Sequence, residues 1–261
     1  MVSISRSTPI ELSLVVPLYN EEASVNRVVG PLLKVLEDGG IPYELVLVNN
    51  GSSDGTGPLL EQWAQRSPAV RLVTVAVNEG YGWGIIQGLR QAQGKYVGFM
   101  SGDGQIQPQD PVRVYRAMIA TGSAVAKVTR VVRGDGRLRR INSHCYNQLC
   151  RVLFGVRSRD FNGTPKIVSR AVLEALDLSS RDWFIDAELM LKSRWLGYEV
   201  LEVPTEYLAR PSGRSKVRFS AVWEFLANIV HARWGGRFQQ WKAVIHSAGV
   251  RAEQPVESLV K

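Results

Sequence analysis

The chain has only two cysteines, Cys145 and Cys150, and three histidines in 261 residues. Neither the spacing of a zinc site nor a C-x-x-C pair is present, so thiol redox chemistry and a structural zinc are set aside, and a reduced, cytoplasmic setting is expected. Long apolar runs are missing too. No stretch reaches the roughly 18 to 20 apolar residues that a membrane span requires, and even AVWEFLANIV is interrupted by Glu224 and Asn228. The opening MVSISRSTPIELSLVV lacks a long apolar core behind a charged start, so no secretory signal is read there. No G-x-G-x-x-G follows the first strand-like run, which argues against a dinucleotide-dependent oxidoreductase. Acidic residues are in deficit, 24 against 32 basic ones, giving a net charge of +8 and a pI near 9.7. That sign suits polyanionic company such as nucleic acid, anionic lipid or phosphorylated substrates. Aromatic residues do not interleave with the basic run as a single-strand platform requires, so nucleic acid is not expected as a partner. There is no internal repeat and no low-complexity segment.

What is present is an ordinary globular composition, 45% hydrophobic and 21% charged, in a chain long enough for one large α/β domain with a small appendage. Glu11 to Val16, Tyr43 to Val48, Val70 to Ala76 and Tyr96 to Met100 read as strands. Val25, Val28, Val29, Leu32, Leu33 and Leu36 recur at helical spacing and Gly39-Gly40 stops them, with a kink or early break expected at Gly30-Pro31. Leu59, Leu60 and Trp63 mark a second helix, and Gly82 to Ala92 a third. Strands alternating with helices predict a mostly parallel sheet covered on both faces, with ligands beyond the carboxyl ends of the strands. Four polar clusters, PLYNEE, NNGSSDGT, NEGYG and SGDGQ, each follow a strand.

From Lys127 to Arg159 there are nine basic residues against one acidic, Asp135. Arg130, Arg133, Arg137, Arg139 and Arg140 read equally as a phosphate-facing loop or as a solvated basic face. WFIDAELMLKSRWLGYEV reads as a helix leading to a strand, and EVPTEYLARPSGRSK as a strand leading to a basic loop. Phe219 to Trp234 is amphipathic and aromatic, suited to a membrane interface or, more readily, to packing on the preceding domain, while Val250 to Lys261 reads as frayed.

SGDGQ, residues 101 to 105, puts Asp103 at the end of a buried strand between two glycines. A pyrophosphate can approach such a carboxylate closely, and Mg²⁺ or Mn²⁺ held there neutralises a leaving diphosphate. Taken alone, the segment reads more readily as an aspartate in a glycine turn. NNGSSDGT carries turn chemistry that suits a nucleoside, and PLYNEE offers an aromatic face at Tyr19 beside acceptors at Asn20 and Glu21.

Taken in this order, the segments VVPLYNEE, VLVNNGSSDGT, NEGYGWGIIQGLRQAQGKYVGFMSGDGQIQP, FIDAELMLKSRWLGYEVLEVP and RPSGRSK resemble the family 2 glycosyltransferases over roughly residues 11 to 218. The later segments look most like the dolichyl-phosphate mannose and glucose synthases and their bacterial polyprenyl-phosphate relatives. The resemblance implies an α/β fold of the GT-A nucleotide-sugar-binding type, a mostly parallel sheet with helices on both faces. It implies an inverting hexosyl- or N-acetylhexosaminyltransferase that uses a divalent metal, Mg²⁺ or Mn²⁺. Pro17, Tyr19, Glu21 and Asn49 would line the base and ribose, with Asn78 and Gly80 also on the nucleotide-sugar. Asp103 and Gln105 would hold the metal and diphosphate. Arg130, Arg139 and Ser143 would face the acceptor phosphate, while Arg210, Ser215 and Lys216 fit an R-x-x-G-x-S-K loop closing over the diphosphate. Asp186 falls at the general-base position.

Two departures from the family stand out. Ser101 replaces the first aspartate of the metal motif, and Asn49-Asn50 replaces Asp-Asp. Uracil offers a donor beside an acceptor, which an amide matches, so the asparagine leans towards a UDP-sugar donor. A polyprenyl phosphate is already a nucleophile near neutral pH, its second pKa being roughly 6, and needs no base. Asp186 is then an N-terminal helix carboxylate. A soluble hydroxyl-bearing small molecule is the alternative acceptor, with Asp186 as its base, and a degenerate nucleotide-sugar-binding protein the further alternative. The expected organisation is a catalytic domain over 1–218, its nucleotide-sugar half about 10–110 and its acceptor half about 111–218, then an amphipathic helical tail over 219–261. Peripheral contact with the cytoplasmic membrane face completes the expectation.

Overall fold

The computed structural model describes residues 9–133, 147–152, 155–156, 158, 160–208 and 236–247. Seven strands form one sheet in the order β3-β2-β1-β4-β6-β5-β7. They are β1 Leu12–Leu18, β2 Tyr43–Asn50, β3 Val70–Val75, β4 Tyr96–Phe99, β5 Val125–Arg133, β6 Lys166–Ser169 and β7 Val200–Tyr207. Every pairing is parallel except those that β6 makes with β4 and β5. The helices with assigned bounds are α1 Glu22–Asp38, α2 Thr56–Arg66, α3 Tyr81–Gln91, α4 Asp110–Thr121, α5 Arg170–Leu176, α6 Ile185–Trp195 and α7 Gly236–Ser247.

All seven residues of β1 are buried, as expected for a strand covered on both faces. Alternate residues feed different cores. Leu14 and Val16 join α1, Leu60 of α2 and Met118 of α4 on one face, while Val15 joins Ile85 and Leu89 of α3 and Leu189 of α6 on the other. The chain runs outwards from β1 through β2 to β3, then returns through α3 to β4 on the other side of β1. The strand order therefore reverses between β1 and β4, and the crevice beyond their carboxyl ends is where such sheets take ligands.

The four strands and three helices read from periodicity are present. Gly30-Pro31 does not break α1, which runs on through Pro31 from Glu22 to Asp38. Strand β5 runs through Val125–Arg133, so Lys127 and Arg130 lie in a strand and not in a loop, and Lys127 is wholly buried. That overturns both the solvated-face and the loop reading for these two residues. The antiparallel β6 was not legible in the sequence.

In the C-terminal tail, α7 packs its Phe238 and Trp241 onto Trp195 of α6, and the Trp241 indole donates to the Ala175 carbonyl at 3.0 Å. The tail therefore contributes to the core on the α6 side. Trp223, Phe225, Leu226, Ile229, Val230 and Trp234 lie outside the described residues, as do Cys145 and the segment from Val250 onwards. Cys150 is buried. Among the described residues no helix is long and apolar enough to cross a membrane.

Candidate active site

The turns after β1 and β2 are laced together. Asn20 N–H donates to Ser52 Oγ (3.1 Å), and Ser53 N–H donates to Asn20 Oδ1 (2.8 Å). Glu21 N–H donates to Thr56 Oγ1 (2.9 Å), and Gly55 N–H donates to Glu22 Oε2 (3.0 Å). Asn20 takes a positive φ of 49° at this crossing. The lacing leaves Tyr19 on the surface, 37% exposed, beside buried Pro17. Proline is tolerated there for a reason of register. Met100 N–H donates to the Val15 carbonyl, so Pro17, two residues on, faces the same side, where pairing with β4 has ended at Val15↔Phe99.

The two asparagines of β2 do different work. Asn49 Oδ1 accepts from Ser52 N–H three residues on (3.1 Å), a bond that an aspartate would make equally well. Asn50 is 2% exposed and its Nδ2 donates to the Gly80 carbonyl at 3.0 Å, which an aspartate could not do. The amide at position 50 is thus engaged within the fold, and any preference among bases falls to Asn49.

Asn78 and Gly80 come together in the turn before α3, where Gly80 N–H donates to Asn78 Oδ1 (2.8 Å). This turn is pressed against residues 180–183. Gly80 has φ +121° and a Cβ there would lie 2.4 Å from the Arg181 carbonyl oxygen, while Trp83 N–H donates to that same oxygen at 2.9 Å. Tyr81 stacks on Trp183 with centroids 4.4 Å apart and planes 16° from parallel. Arg181 covers the Trp83 ring and pairs with Glu79. Gly80→Ala combines a forbidden φ with a backbone clash, so we expect a loss of at least about 2 kcal/mol of stability. Thermal melting checks this, and a variant that melts with the native protein would show that the turn and the 180–183 loop separate freely.

Asp103 lies at the sheet edge between β1 and the end of β7. A Cβ on Gly102 would meet Leu18 Cγ at 2.8 Å and the Pro17 carbonyl at 3.1 Å, so glycine lets this loop close against β1. Gln105 N–H donates to Asp103 Oδ1 at 3.2 Å. The Gln105 side chain is 7% exposed, and its Nε2 reaches the Leu208 carbonyl at 3.4 Å, while Leu208 N–H donates to the Gln105 carbonyl at 2.9 Å. Gln105 thus ties the Asp103 loop to the end of β7. Beyond Leu208 the basic loop with Arg210, Ser215 and Lys216 lies outside the described residues, as do Arg139 and Ser143.

Arg130 sits at an irregularity in β5, where the register with β7 shifts between Arg130 and Val132 and leaves Val131 61% exposed. Its guanidinium makes a two-pronged pair with Asp160, Nε–Oδ2 and Nη2–Oδ1 both at 2.6 Å, and lies 4.9 Å from the centroid of the Tyr207 ring. Below it lies a set of charges that no sequence pattern announced. Lys127 Nζ donates to the Asp160 carbonyl (2.7 Å) and pairs with Glu202 (3.3 Å), and Lys166, 1% exposed, pairs with Asp186, 4% exposed. Three cations, Lys127, Arg130 and Lys166, are thereby matched by Asp160, Asp186 and Glu202, which is how buried charges become tolerable. Burial raises the Asp186 pKa, and the Lys166 charge works against that rise. Burial likewise lowers the pKa of Lys166, opposed by Asp186.

Burial pushes Lys127 from 10.5 down to about 8, with Asp160 and Glu202 opposing the shift and Lys166 adding to it. Between those values the unfolded chain holds a proton that the folded chain has released, so stability rises with pH across this window. The cost of keeping Lys127 charged is therefore present in full below pH 8 and gone above 10.5. Relative to Lys127→Met, the native protein is expected to gain up to about 3 kcal/mol over that range. Denaturant unfolding of both proteins between pH 7.5 and 10.5 reads it, and a constant difference would mean that Lys127 is not desolvated.

Among the described residues no group of three or more His, Cys, Asp or Glu side chains could hold a metal ion. Asp103 is the carboxylate that the SGDGQ turn brings to the sheet edge. A hard divalent ion that takes most of its oxygens from a diphosphate and from water needs little more from the protein, so the residues present fit that kind of ion and not a protein-only cage.

Residues 13–177 match the sequence profile of Glycosyl transferase family 2. The chain belongs to this family. It is 29% identical over 208 residues to undecaprenyl-phosphate 4-deoxy-4-formamido-L-arabinose transferase of Edwardsiella ictaluri, covering 78% of this chain and 62% of that one. It is 29% identical over 243 residues to dodecaprenyl-phosphate galacturonate synthase of Rhizobium johnstonii, covering 90% and 69%. The chain therefore spans less than two thirds of the first of these relatives. Among solved structures, Mycobacterium tuberculosis glucosyl-3-phosphoglycerate synthase with Mn²⁺, UDP and glucosyl-3-phosphoglycerate superposes with a TM-score of 0.68 at 20% identity, covering 87% of this chain and 80% of that one. The fold is accordingly of the GT-A type, as the sequence implied.

Proposed function

We propose that this family 2 chain is the catalytic unit of an inverting glycosyltransferase that moves a sugar from a UDP-sugar to a polyprenyl phosphate, with Mg²⁺ or Mn²⁺. One observation carries the reading. Gln105, whose N–H bonds Asp103 on the expected donor side, is tied by two bonds to Leu208 at the end of β7, and the neighbouring Tyr207 ring carries the Arg130 guanidinium of the expected acceptor side at 4.9 Å, so the two halves meet at the end of β7. The names of the relatives, which are polyprenyl-phosphate transferases and synthases, support the lipid-phosphate acceptor.

On this reading Pro17, Tyr19, Glu21 and Asn49 receive the uridine, with Asn78 and Gly80 in the adjoining turn. Asp103 would hold a divalent ion, which would supply positive charge to the departing diphosphate, with Gln105 keeping the loop in place. Arg210 and Lys216 close over the diphosphate, while Ser215, Arg130, Arg139 and Ser143 serve the acceptor. Asp160 holds the Arg130 guanidinium in one orientation. An oxygen of the acceptor phosphate attacks the anomeric carbon from the face opposite the diphosphate, the carbon–oxygen bond to UDP breaks, and the configuration inverts. Since the phosphate is already ionised, no proton has to be removed.

The alternative, a soluble hydroxyl acceptor with Asp186 as base, is disfavoured. Asp186 is 4% exposed and committed to Lys166, which leaves it poorly placed to collect a proton from a bound substrate. To test the proposal, labelled UDP-glucose, UDP-N-acetylglucosamine and GDP-mannose are each incubated with the protein, Mg²⁺ or Mn²⁺ and polyprenyl phosphate, then extracted into organic solvent. Label entering the lipid phase from a UDP-sugar is the expected result. UDP binding without lipid labelling would overturn the acceptor assignment, and label from GDP-mannose alone would overturn the choice of base.

A further inference from the structure

Tyr207, the last residue of β7, is not among the residues that the family motifs bring to the site. It completes what Asp160 begins. The Asp160 carboxylate accepts from Nε and Nη2 of Arg130 at 2.6 Å each and from the Arg130 backbone N–H at 3.2 Å. These bonds fix one edge of the guanidinium, and a plane held by one edge can still swing about that edge. The Tyr207 ring lies across its face, 4.9 Å from the guanidinium carbon to the ring centroid, and blocks the swing. The Arg130 side chain is only 13% exposed, and the attraction between a cation and a ring strengthens as water is excluded.

The ring is itself held at both ends. Its hydroxyl lies 3.4 Å from Thr164 Oγ1 in the turn before β6, and Thr164 is 2% exposed. At the backbone end, Leu208 follows Tyr207 directly and is bonded to Gln105, whose own N–H bonds Asp103. Tyr207 is therefore a fixed surface beneath Arg130 and not a side chain that happens to rest there.

We infer that Tyr207 is a positioning residue for the acceptor, its ring holding the Arg130 guanidinium in the orientation that meets the acceptor's phosphate. In the polyprenyl-phosphate reading above, on which this assignment rests, Arg130 serves that phosphate. An arginine recognises phosphate through the fixed directions of its planar fork. A guanidinium left to swing has to be ordered at each binding event, and that ordering weakens the complex. Bond breaking at the donor diphosphate does not depend on it. Loss of the ring should therefore appear in the KM for the acceptor and leave kcat and UDP affinity nearly unchanged. The ring carries the effect more than the hydroxyl, since the charge distribution that attracts a cation belongs to the aromatic face, which phenylalanine shares.

Kinetics with the UDP-sugar that labels lipid test this. Tyr207→Leu should raise the KM for polyprenyl phosphate roughly tenfold, with kcat within about threefold of native and UDP affinity, measured by calorimetry with Mn²⁺, within about twofold. Tyr207→Phe should bring the KM back to within about threefold of native. In an Arg130→Lys background, where the ammonium has no plane to align, Tyr207→Leu should add less than about twofold. Phenylalanines carrying one, two or three ring fluorines at position 207 keep the shape while fading the charge of the face, so the acceptor KM should rise stepwise along that series. A flat series, additive losses with Arg130→Lys, or a native acceptor KM in Tyr207→Leu would each remove this role from Tyr207 and leave the lipid-phosphate reading standing. A fall in UDP affinity in step with the rise in KM would make Tyr207 a brace for the Asp103 loop instead. If the native protein binds UDP and labels no polyprenyl phosphate, the acceptor reading fails, and the role of Tyr207 falls with it.

Discussion

Asp103→Ala is expected to lower sugar transfer by a factor of roughly 10² to 10³ or more, the scale seen when a group that stabilises developing charge is deleted. Melting should fall only slightly. Asp103 stands at the sheet edge, beyond β4, where its Oδ1 accepts from Gln105 N–H at 3.2 Å. Losing such a bond costs about 1 kcal/mol, whereas the loop's attachment to β1 and β7 runs through Gly102 and the backbone of Gln105. Because Ser101 stands where the family commonly has another aspartate, the chain has less redundancy here, and the effect on kcat should sit at the upper end of the range. Lipid labelling beside a thermal melt separates the two quantities. A folded Asp103→Ala protein that transfers sugar at the native rate would remove this residue from the donor site and the metal with it.

The second large effect is on stability. Lys166→Met leaves Asp186 charged and buried without its partner, and Asp186→Leu does the same to Lys166. Each single change should cost about 3 to 5 kcal/mol, which in a chain of this size lowers the melting temperature by roughly 10 °C. The double replacement removes both charges and should recover most of that loss, since apolar side chains of similar volume often replace a buried pair at little cost. Denaturant unfolding of the three variants completes a double-mutant cycle, and additive losses would contradict the pairing. The same proteins bear on chemistry. Lipid labelling that survives in the folded double variant means that no proton is collected at Asp186, as a phosphate acceptor requires, whereas its disappearance would restore the hydroxyl-acceptor mechanism.

Both predictions draw on a site that was only half visible in the chain. The turns at the carboxyl edge of the sheet were legible because each of their parts is local. A strand run, a turn rich in glycine and asparagine, and a helix start lie within a dozen residues of one another, so PLYNEE, NNGSSDGT, NEGYG and SGDGQ could be placed at strand ends from spacing alone. The basic segment was misread where burial depends on distant partners. Lys127 looks like a member of a basic run until Glu202 and the Asp160 carbonyl are seen to receive it. Lys166 belongs to a four-residue strand whose central place in the sheet is decided by β4 and β5, and nothing in GTPKIVS announces it. Gly30-Pro31 misled in the opposite sense. A kink or an early break was expected there, but six buried apolar residues hold α1 on its core and it continues.

By itself the sequence determined the alternation of strands and helices, the parallel half of the sheet, and the four turns that converge at its carboxyl edge. These depend on period, on glycine and on interactions between near neighbours. Only the tertiary structure decided which charges are buried and with whom, that the Asn50 amide meets the Gly80 carbonyl, and that Tyr81 stacks on Trp183. Each of those outcomes is a pairing between segments far apart in the chain. The cost of an unpaired buried charge or hydrogen-bonding group enforces it in the folded state, and it leaves no mark on the spacing of either segment alone.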